Sequence, residues 1–190
     1  MDIVLRESER LNGTIRSFLA YARPQRPTIV RLDLAQIVHD TARLLRNGSD
    51  VRANHVVEVD VPGTPVALDA DDNQIRQIVW NLATNGLRAM PDGGTLRLAV
   101  EEGAHAVALV VSDEGCGIPA HEIDRIFQPF RSSFDKGTGL GLATVHRIVS
   151  DMGGHINVSS TVGVGTSMRV QFPVQGQDAE PVGVPARVAV

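Results

Sequence analysis

The stretch Asp113-Glu114-Gly115-Cys116-Gly117-Ile118-Pro119 decides how the rest of this 190-residue chain is interpreted. It follows residues 106–112, an apolar run with the length and composition of a buried β-strand. An acid at the end of such a strand, followed by Gly-x-Gly, indicates a ligand pocket, because glycine allows positive φ angles and the close approach of a flat molecule. Asp113 can accept a hydrogen bond from an exocyclic amine such as that of adenine. The same pattern also occurs in ordinary turns, so its meaning depends on the flanking sequence.

Composition and length limit the class of protein. With 43% hydrophobic residues and a formal net charge of −4, the chain can form one well-packed domain with an appendage but lacks the basic excess expected for nucleic-acid binding. A single cysteine excludes an internal disulfide and favours a reducing compartment. No apolar run reaches ~18 residues, and no signal peptide is visible. We therefore expect a cytoplasmic domain, whether or not the full-length protein is attached to the inner membrane.

The chain divides into four segments. They are an amphipathic helix (residues 1–23), a proline-containing linker (24–27), the main domain (28–174) and a flexible tail (175–190). In the first segment Val4, Leu11 and Phe18 lie seven residues apart, which indicates a helix that pairs with another helix or a second subunit; the alternative is that it packs on its own domain. Its first residues resemble the interior of a helix, so we expect the chain to begin inside a longer protein.

Hydrophobic periodicity and capping signals predict an α+β fold for the main domain. Asp33 is the predicted N-cap of the first helix, and Asp71 or Asp72 that of the second. Strands are predicted at residues 28–32, 56–61, 66–68, 95–101, 106–113, 156–160 and 167–173, and helices at 34–46, 73–90, 121–126 and 140–152. This order predicts a two-layer sandwich in which helices cover one face of a mixed, mostly antiparallel sheet. It is not a Rossmann array, because strands and helices do not alternate regularly.

Polar side chains recur on one face of the predicted helix 73–90. Gln77, Asn81 and Asn85 are spaced i, i+4, and Arg88 lies one turn further on. Such a row can simply be a solvated polar stripe. Alternatively, an amide oxygen can bind Mg²⁺ that is otherwise held by phosphate and water, and the guanidinium can contact a phosphate.

Two further glycine clusters follow. Gly137, Gly139 and Gly141 lead directly into the helix 140–152, and glycine-rich backbone at a helix N-terminus is suited to bind an anion. The cluster is not a P-loop, because no Gly-Lys-Ser/Thr follows at the required spacing. The pair in residues 163–166, Gly-Val-Gly-Thr, is on its own most simply a turn between the last two strands.

Taken in this order, the motifs resemble the nucleotide-binding domain of bacterial sensor histidine kinases, the Bergerat or gyrase–Hsp90–kinase–MutL fold. The resemblance covers residues 28–173 and is closest to the NtrB/PilS-like branch. Its elements are the N box (77–89), the first glycine box (113–119), the F box (126–130), the second glycine box (137–142) and the third glycine box (163–166). Residues 1–23 are similar to the second helix of the family's dimerisation and phosphoacceptor domain.

The resemblance implies roles for individual residues. Asp113 would bind the adenine amino group, Asn85 would ligate Mg²⁺ with Asn81 beside it, and Arg88 would contact phosphate. Residues 130–137 would form a lid over ATP. The remaining ATP-binding residues implied by the family are Gly115, Gly117, Ile118, Phe130, Lys136, Gly137, Thr138, Gly139, Leu140, Gly141, Leu142 and Thr166. One departure is Gly86, where alanine is usual; it weakens the helix by about 1 kcal/mol but removes no ligand.

The resemblance also implies a reaction. Hydrolytic members of the family carry a glutamate where this chain has Asn81, so we expect slow hydrolysis and transfer of the ATP γ-phosphoryl to a histidine. That histidine would lie on a dimerisation domain, with onward transfer to an aspartate of a response regulator, in a homodimeric full-length protein.

The acceptor motif itself, a histidine followed by an acid and then by a proline five residues after the histidine, is absent. His39-Asp40 and His121-Glu122 lack the proline, so we expect this chain to bind ATP without phosphorylating itself. Two alternatives stay open: an ATPase switch of the gyrase or MutL type, and an anti-sigma-like kinase or binding module.

Overall fold

The computed structural model describes residues 27–48, 51–131 and 139–174. The predicted N-terminal helix, residues 24–26 of the linker and the predicted tail from residue 175 lie outside the described residues. In chain order the elements are β1 (Val30–Asp33), α1 (Leu34–Arg46), β2 (His55–Asp60), β3 (Ala67–Ala70), α2 (Asp72–Ala89), β4 (Gly94–Glu102), β5 (Ala106–Asp113), α3 (Ala120–Ile123), α4 (Gly141–Asp151), β6 (His155–Thr161) and β7 (Gly165–Pro173).

The main sheet has five strands in the order β2-β4-β5-β7-β6. Only the β2–β4 pair is parallel, because α2 carries the chain back across the sheet between these two strands. The other three pairs are antiparallel, and β1 and β3 form a separate antiparallel pair. The predicted mixed, mostly antiparallel sheet is confirmed.

One face of the sheet carries the core. Along β4, Leu96, Leu98 and Val100 are buried while the intervening Arg97 is exposed, as the two-residue period of a strand requires. The buried rows pack against α1, α2 and α4. The opposite face is polar and carries ion pairs such as that between Arg97 and Asp60. The concentration of the core on one side of the sheet confirms the two-layer sandwich.

Two aspartates begin the longer helices as predicted. The Asp33 carboxylate accepts hydrogen bonds from the backbone N–H groups of Ala35, in α1, and of Val66, at 3.0 and 2.9 Å. Asp71, rather than Asp72, caps α2, so this helix begins and ends one residue earlier than predicted. The predicted helix 121–126 is regular only as far as Ile123, because the backbone bonds that follow span three residues and form turns.

The C-terminal end of α2 is fixed to the start of β2 through a buried histidine. His55 Nδ1 accepts a hydrogen bond from the Arg52 backbone N–H at 3.0 Å, and Nε2 lies 2.8 Å from the Met90 carbonyl oxygen. An acceptor at one ring nitrogen and a donor at the other describe a neutral imidazole protonated on Nε2. The end of α2 is therefore held in register with the sheet.

Within residues 27–48, 51–131 and 139–174, no helix has the length and apolar character required to cross a membrane.

We expect Asp33→Ala to lower the free energy of unfolding by about 1–2 kcal/mol, because two backbone donors lose their acceptor and α1 loses its cap. Asp33→Asn keeps an oxygen acceptor at the same position and is the matched control. Urea denaturation of both variants measures the difference. Equal stability of the alanine and asparagine variants would contradict the assignment of Asp33 as a structural cap.

Candidate nucleotide-binding site

A cavity of about 830 Å³ opens between α2, α4 and the loop that follows β5. Its volume suits a cofactor-sized ligand. Asp113 and Asn85, the two residues predicted to bind opposite ends of one ligand, both line it. The other predicted site residues in its wall are Asn81, Arg88, Gly117, Ile118, Phe130, Gly139, Leu140, Gly141, Leu142 and Thr166. Lys136, Gly137 and Thr138 lie outside the described residues.

The polar face of α2 forms one wall. Asn81 donates a hydrogen bond from Nδ2 to the Gly141 carbonyl oxygen at 3.2 Å, which leaves its oxygen as an acceptor. Gln77, one turn earlier, and Asn85 and Arg88, further along the helix, also line the cavity. The apolar side of the helix is buried in the core, as predicted, so one face of α2 packs in the core and the other lines the cavity.

The N-terminus of α4 forms a second wall. The helix begins at Gly141 after the N-cap Leu140, whose apolar side chain cannot accept hydrogen bonds from the first turn. A Cβ added at Gly141 would lie 3.8 Å from side-chain atoms of Asn81 and Asn85, so this helix end and the amides lie side by side. A helix N-terminus combined with neutral amides and Arg88 suits an anionic group.

Asp113 is half-buried on the inner face of the sheet, at the end of β5. Burial raises the pKa of its carboxyl above the ordinary value, and hydrogen bonds from the backbone N–H groups of Gly115 and Thr166 partly oppose this. The Gly115 N–H lies 2.9 Å from Oδ1. The carboxyl is thus held in a fixed position at the cavity wall, where it can accept a hydrogen bond from a ligand.

Close packing on α2 explains two glycines. A Cβ at Gly86 would lie 2.7 Å from Leu96 Cδ1 and 3.2 Å from Asp113 Cβ. The departure from alanine at this position therefore lets the strand side chains approach the helix. Gly115 is not in the cavity wall; a Cβ there would lie 2.6 Å from Ala89 Cβ, so its glycine serves packing of the loop on α2.

The third glycine pair is more than a turn. It joins β6 and β7, and the Gly163 N–H donates to the Cys116 carbonyl oxygen at 2.9 Å. Gly165 has a φ of +141°, and a Cβ there would lie 2.0 Å from the Asp113 carbonyl oxygen. The β6–β7 hairpin therefore packs directly on the Asp113 loop, at a distance that no larger residue allows.

The ends of the segment that follows the F box meet at the cavity rim. The Phe130 N–H donates to the Gly139 carbonyl oxygen at 3.0 Å, and both residues have positive φ angles of 63° and 67°. A Cβ at Gly139 would lie 2.5 Å from the Phe130 carbonyl carbon. Residues 132–138, which include most of the predicted lid, lie outside the described residues.

The structure also adds residues that the sequence did not single out. Arg125 and Arg131 line the cavity together with Arg88, and Trp80 and Glu122 are among the other lining residues that the sequence did not indicate. The cavity lining contains three guanidinium groups and two carboxyl groups, Asp113 and Glu122, and this excess of positive charge favours an anionic ligand. Arg125 and Arg131 flank the F box, a position that signals a site only once the fold brings that segment beside α2.

A half-buried acid, a row of amides and a helix N-terminus around one cavity define a nucleotide-binding domain. Residues 70–176 match the family described as histidine kinase-, DNA gyrase B-, and HSP90-like ATPase, and the chain belongs to this family.

Similar proteins include several sensor kinases. The chain is 34% identical to sporulation kinase A of Bacillus subtilis (strain 168) and 29% identical to sensor histidine kinase ZraS of Escherichia coli (strain K12), over 90% and 95% of its own length. It spans only 28% and 39% of these relatives. Among solved structures, full-length ShkA in complex with AMPPNP matches with a TM-score of 0.75 and 25% identity, over 90% of this chain and 37% of that one.

We expect Asp113→Asn to weaken ATP binding strongly without lowering stability, because asparagine keeps only one acceptor oxygen and its NH₂ group cannot accept a hydrogen bond from the adenine amino group. Because the fold raises the Asp113 pKa, the folded state binds this proton more tightly than the unfolded chain does. The free energy of unfolding therefore falls as the pH rises from the ordinary Asp pKa through the raised one, and the ionised carboxylate destabilises the fold above that window.

The stability advantage of Asp113→Asn over the parent chain should be largest at pH 8 and should disappear at low pH. Urea denaturation across pH measures it, and calorimetric titration measures ATP binding. Asp60→Asn, on the outer face of the sheet, is the control. An Asp113→Asn variant that still binds ATP like the parent chain would overturn the role assigned to Asp113.

Proposed function

We propose that this chain is the ATP-binding catalytic part of a sensor histidine kinase, which transfers the γ-phosphoryl group of ATP to a histidine on a dimerisation domain. The observation that carries the proposal is the shared cavity of Asp113 and Asn85, with an amide at Asn81 where a hydrolytic enzyme needs a base. The names of the relatives and the AMPPNP complex of ShkA support it.

The base of ATP binds beside Asp113. The carboxylate accepts a hydrogen bond from the adenine amino group, and the Gly115 and Thr166 backbone N–H groups hold the carboxyl in place. Gly117 and Ile118, together with Val111 and Met168, provide the mixed backbone and apolar lining that a flat ring needs.

The phosphates bind between α2 and the N-terminus of α4. Asn81 contacts the start of α4, and Gly86 lies against Asp113. These two positions are five residues apart on α2, so the proposed phosphate and adenine sites are separated by about 7 Å along the helix axis. Backbone N–H groups of α4 and the guanidinium groups of Arg88, Arg125 and Arg131 contact the anionic oxygens.

The amide of Asn85 fits a Mg²⁺ ligand, because it is a neutral oxygen donor on the same wall as the phosphate-binding groups. Mg²⁺ bound there would neutralise phosphate charge. Asn81 lies beside Asn85, and its Nδ2 is already engaged with Gly141.

Asn81 itself cannot activate water, because an amide takes no proton at neutral pH. Catalysis then rests on positioning the γ-phosphoryl group and neutralising its charge, so that an incoming imidazole nitrogen displaces ADP. This selects transfer to a protein side chain over rapid hydrolysis.

The acceptor histidine comes from outside this cavity. Among the described residues, no histidine lines the cavity, and His39 and His121 are exposed on α1 and α3. The partners that we propose are the dimerisation and phosphoacceptor domain of the same kinase, in a homodimer, and a response regulator that receives the phosphoryl group on an aspartate. The supply of ATP places the reaction in the cytoplasm.

We expect Asn85→Ala to remove the gain in ATP affinity that Mg²⁺ provides. If the metal contact contributes roughly 1.4 kcal/mol, the affinity for ATP in the presence of Mg²⁺ falls about tenfold. Calorimetric titrations of ATP with MgCl₂ and with EDTA measure this gain. Asn157→Ala, an exposed asparagine on β6, is the matched control. If Asn85→Ala keeps the full Mg²⁺-dependent gain, Asn85 is not the metal ligand.

We also expect phosphoryl transfer in trans. Incubated with γ-labelled ATP, this chain should stay unlabelled and release phosphate slowly, and it should label a separate polypeptide that carries the dimerisation domain. The label should be acid-labile and absent when the acceptor histidine is replaced by alanine. Rapid phosphate release by the chain alone would instead identify an ATPase switch, and nucleotide binding without any transfer would identify a binding module.

A further inference from the structure

Three polar side chains form a row on the otherwise apolar inner face of the sheet. Asp113 pairs in register with Thr166 across β5 and β7, and Thr166 pairs with Ser160 across β7 and β6. The next inward-facing positions, two residues away in each strand, are apolar: Val111, Met168 and Val158. Thr166 is only 6% exposed yet lines the cavity together with Asp113.

Ser160 is the outer member of the row and connects three segments. Its Oγ accepts a hydrogen bond from the Ile118 N–H at 2.8 Å, in the loop that follows Asp113. It also lies 3.0 Å from the Gly165 carbonyl oxygen and 2.9 Å from Thr166 Oγ1. No role in ligand binding follows for Ser160 from the sequence motifs, because it lies before the third glycine pair.

The number of protons at Ser160 limits what Thr166 can do. A hydroxyl has one proton to donate, and both Gly165 O and Thr166 Oγ1 are within reach of it. If Ser160 donates to Gly165, Thr166 can donate its own proton to Ser160 and then presents only lone pairs to the cavity. If Ser160 donates to Thr166, the Thr166 proton is turned towards the ligand.

Adenine needs the second arrangement. When its amino group is bound by Asp113, the neighbouring atom on the same ring edge is N1, which is an acceptor. We propose that Ser160 is a positioning residue for adenine: its proton holds the Thr166 oxygen so that Thr166 donates to N1, directly or through one water. This inference rests on the proposed function, because it presumes that ATP is the ligand.

The inference is tested with ATP analogues that differ at single ring positions. Ser160→Ala should weaken ATP binding about three- to tenfold, the effect of one neutral hydrogen bond. It should leave binding of 1-deaza-ATP, in which a C–H replaces N1, unchanged. Purine riboside triphosphate keeps N1 but lacks the amino group, so it should lose affinity on Ser160→Ala as ATP does.

Ser159→Ala is the matched control, because Ser159 is the adjacent residue of β6, is exposed and points to the other face of the sheet. Calorimetric titration of the parent chain and both variants provides the dissociation constants, and the thermal midpoint of each variant reports its folding. The hydrogen-exchange rate of the Ile118 amide is a second measurement. This rate should fall on ATP binding in the parent chain but not in Ser160→Ala.

The outcomes separate the two proposals. Failure of the parent chain to bind ATP overturns the proposed function. If the parent chain binds ATP but Ser160→Ala weakens ATP and 1-deaza-ATP equally, Ser160 merely supports the fold of the loop and the positioning role is wrong. An unchanged affinity for ATP in a folded Ser160→Ala variant overturns the inference alone.

Discussion

A carboxyl group held between a sheet and a helix layer needs backbone donors at fixed positions, and the rest of the site is arranged around this requirement. Asp113 receives N–H groups from Gly115 and Thr166, which belong to segments on either side of it. Both segments approach so closely that a Cβ at Gly115 or Gly165 would overlap a neighbour. The glycines of the first and third boxes are therefore explained by packing around one acid as well as by access for a ligand.

Helix α2 links the stability of the fold to the geometry of the site. Ile75, Ile78 and Val79 are fully buried on one side, while Asn81 and Asn85 face the cavity on the other. Its N-terminus is capped by a side chain, and its C-terminus is held by a buried histidine and by the loop after β5. Both ends of the helix that carries the amides are therefore fixed, and the proposed reaction depends on such positioning.

The chemistry follows from what α2 lacks. The family description names both kinases and ATPases, and Asn81 cannot activate water as a carboxylate could. Its amide nitrogen instead donates a hydrogen bond to the carbonyl oxygen of Gly141, the first residue of α4, so it joins two walls of the cavity. The absence of a base at this position agrees with the proposed transfer of the phosphoryl group to a protein side chain rather than to water.

Local patterns were sufficient for much of this structure. The caps Asp33 and Asp71, the amide spacing on α2 and the glycine clusters depend on neighbours within a few residues, so the order of elements and the two-layer fold could be predicted from them. Most of the cavity wall was instead predicted from the resemblance of the ordered motifs to a known family. Long-range contacts could not be predicted. The approach of Arg125 and Arg131 to α2, the packing of Gly115 on Ala89 and the bond between Gly163 and Cys116 join segments far apart in the chain. The geometry of these contacts depends on how the β6–β7 hairpin and the helices pack on the sheet. The periodicity within a single segment carries no information about that packing.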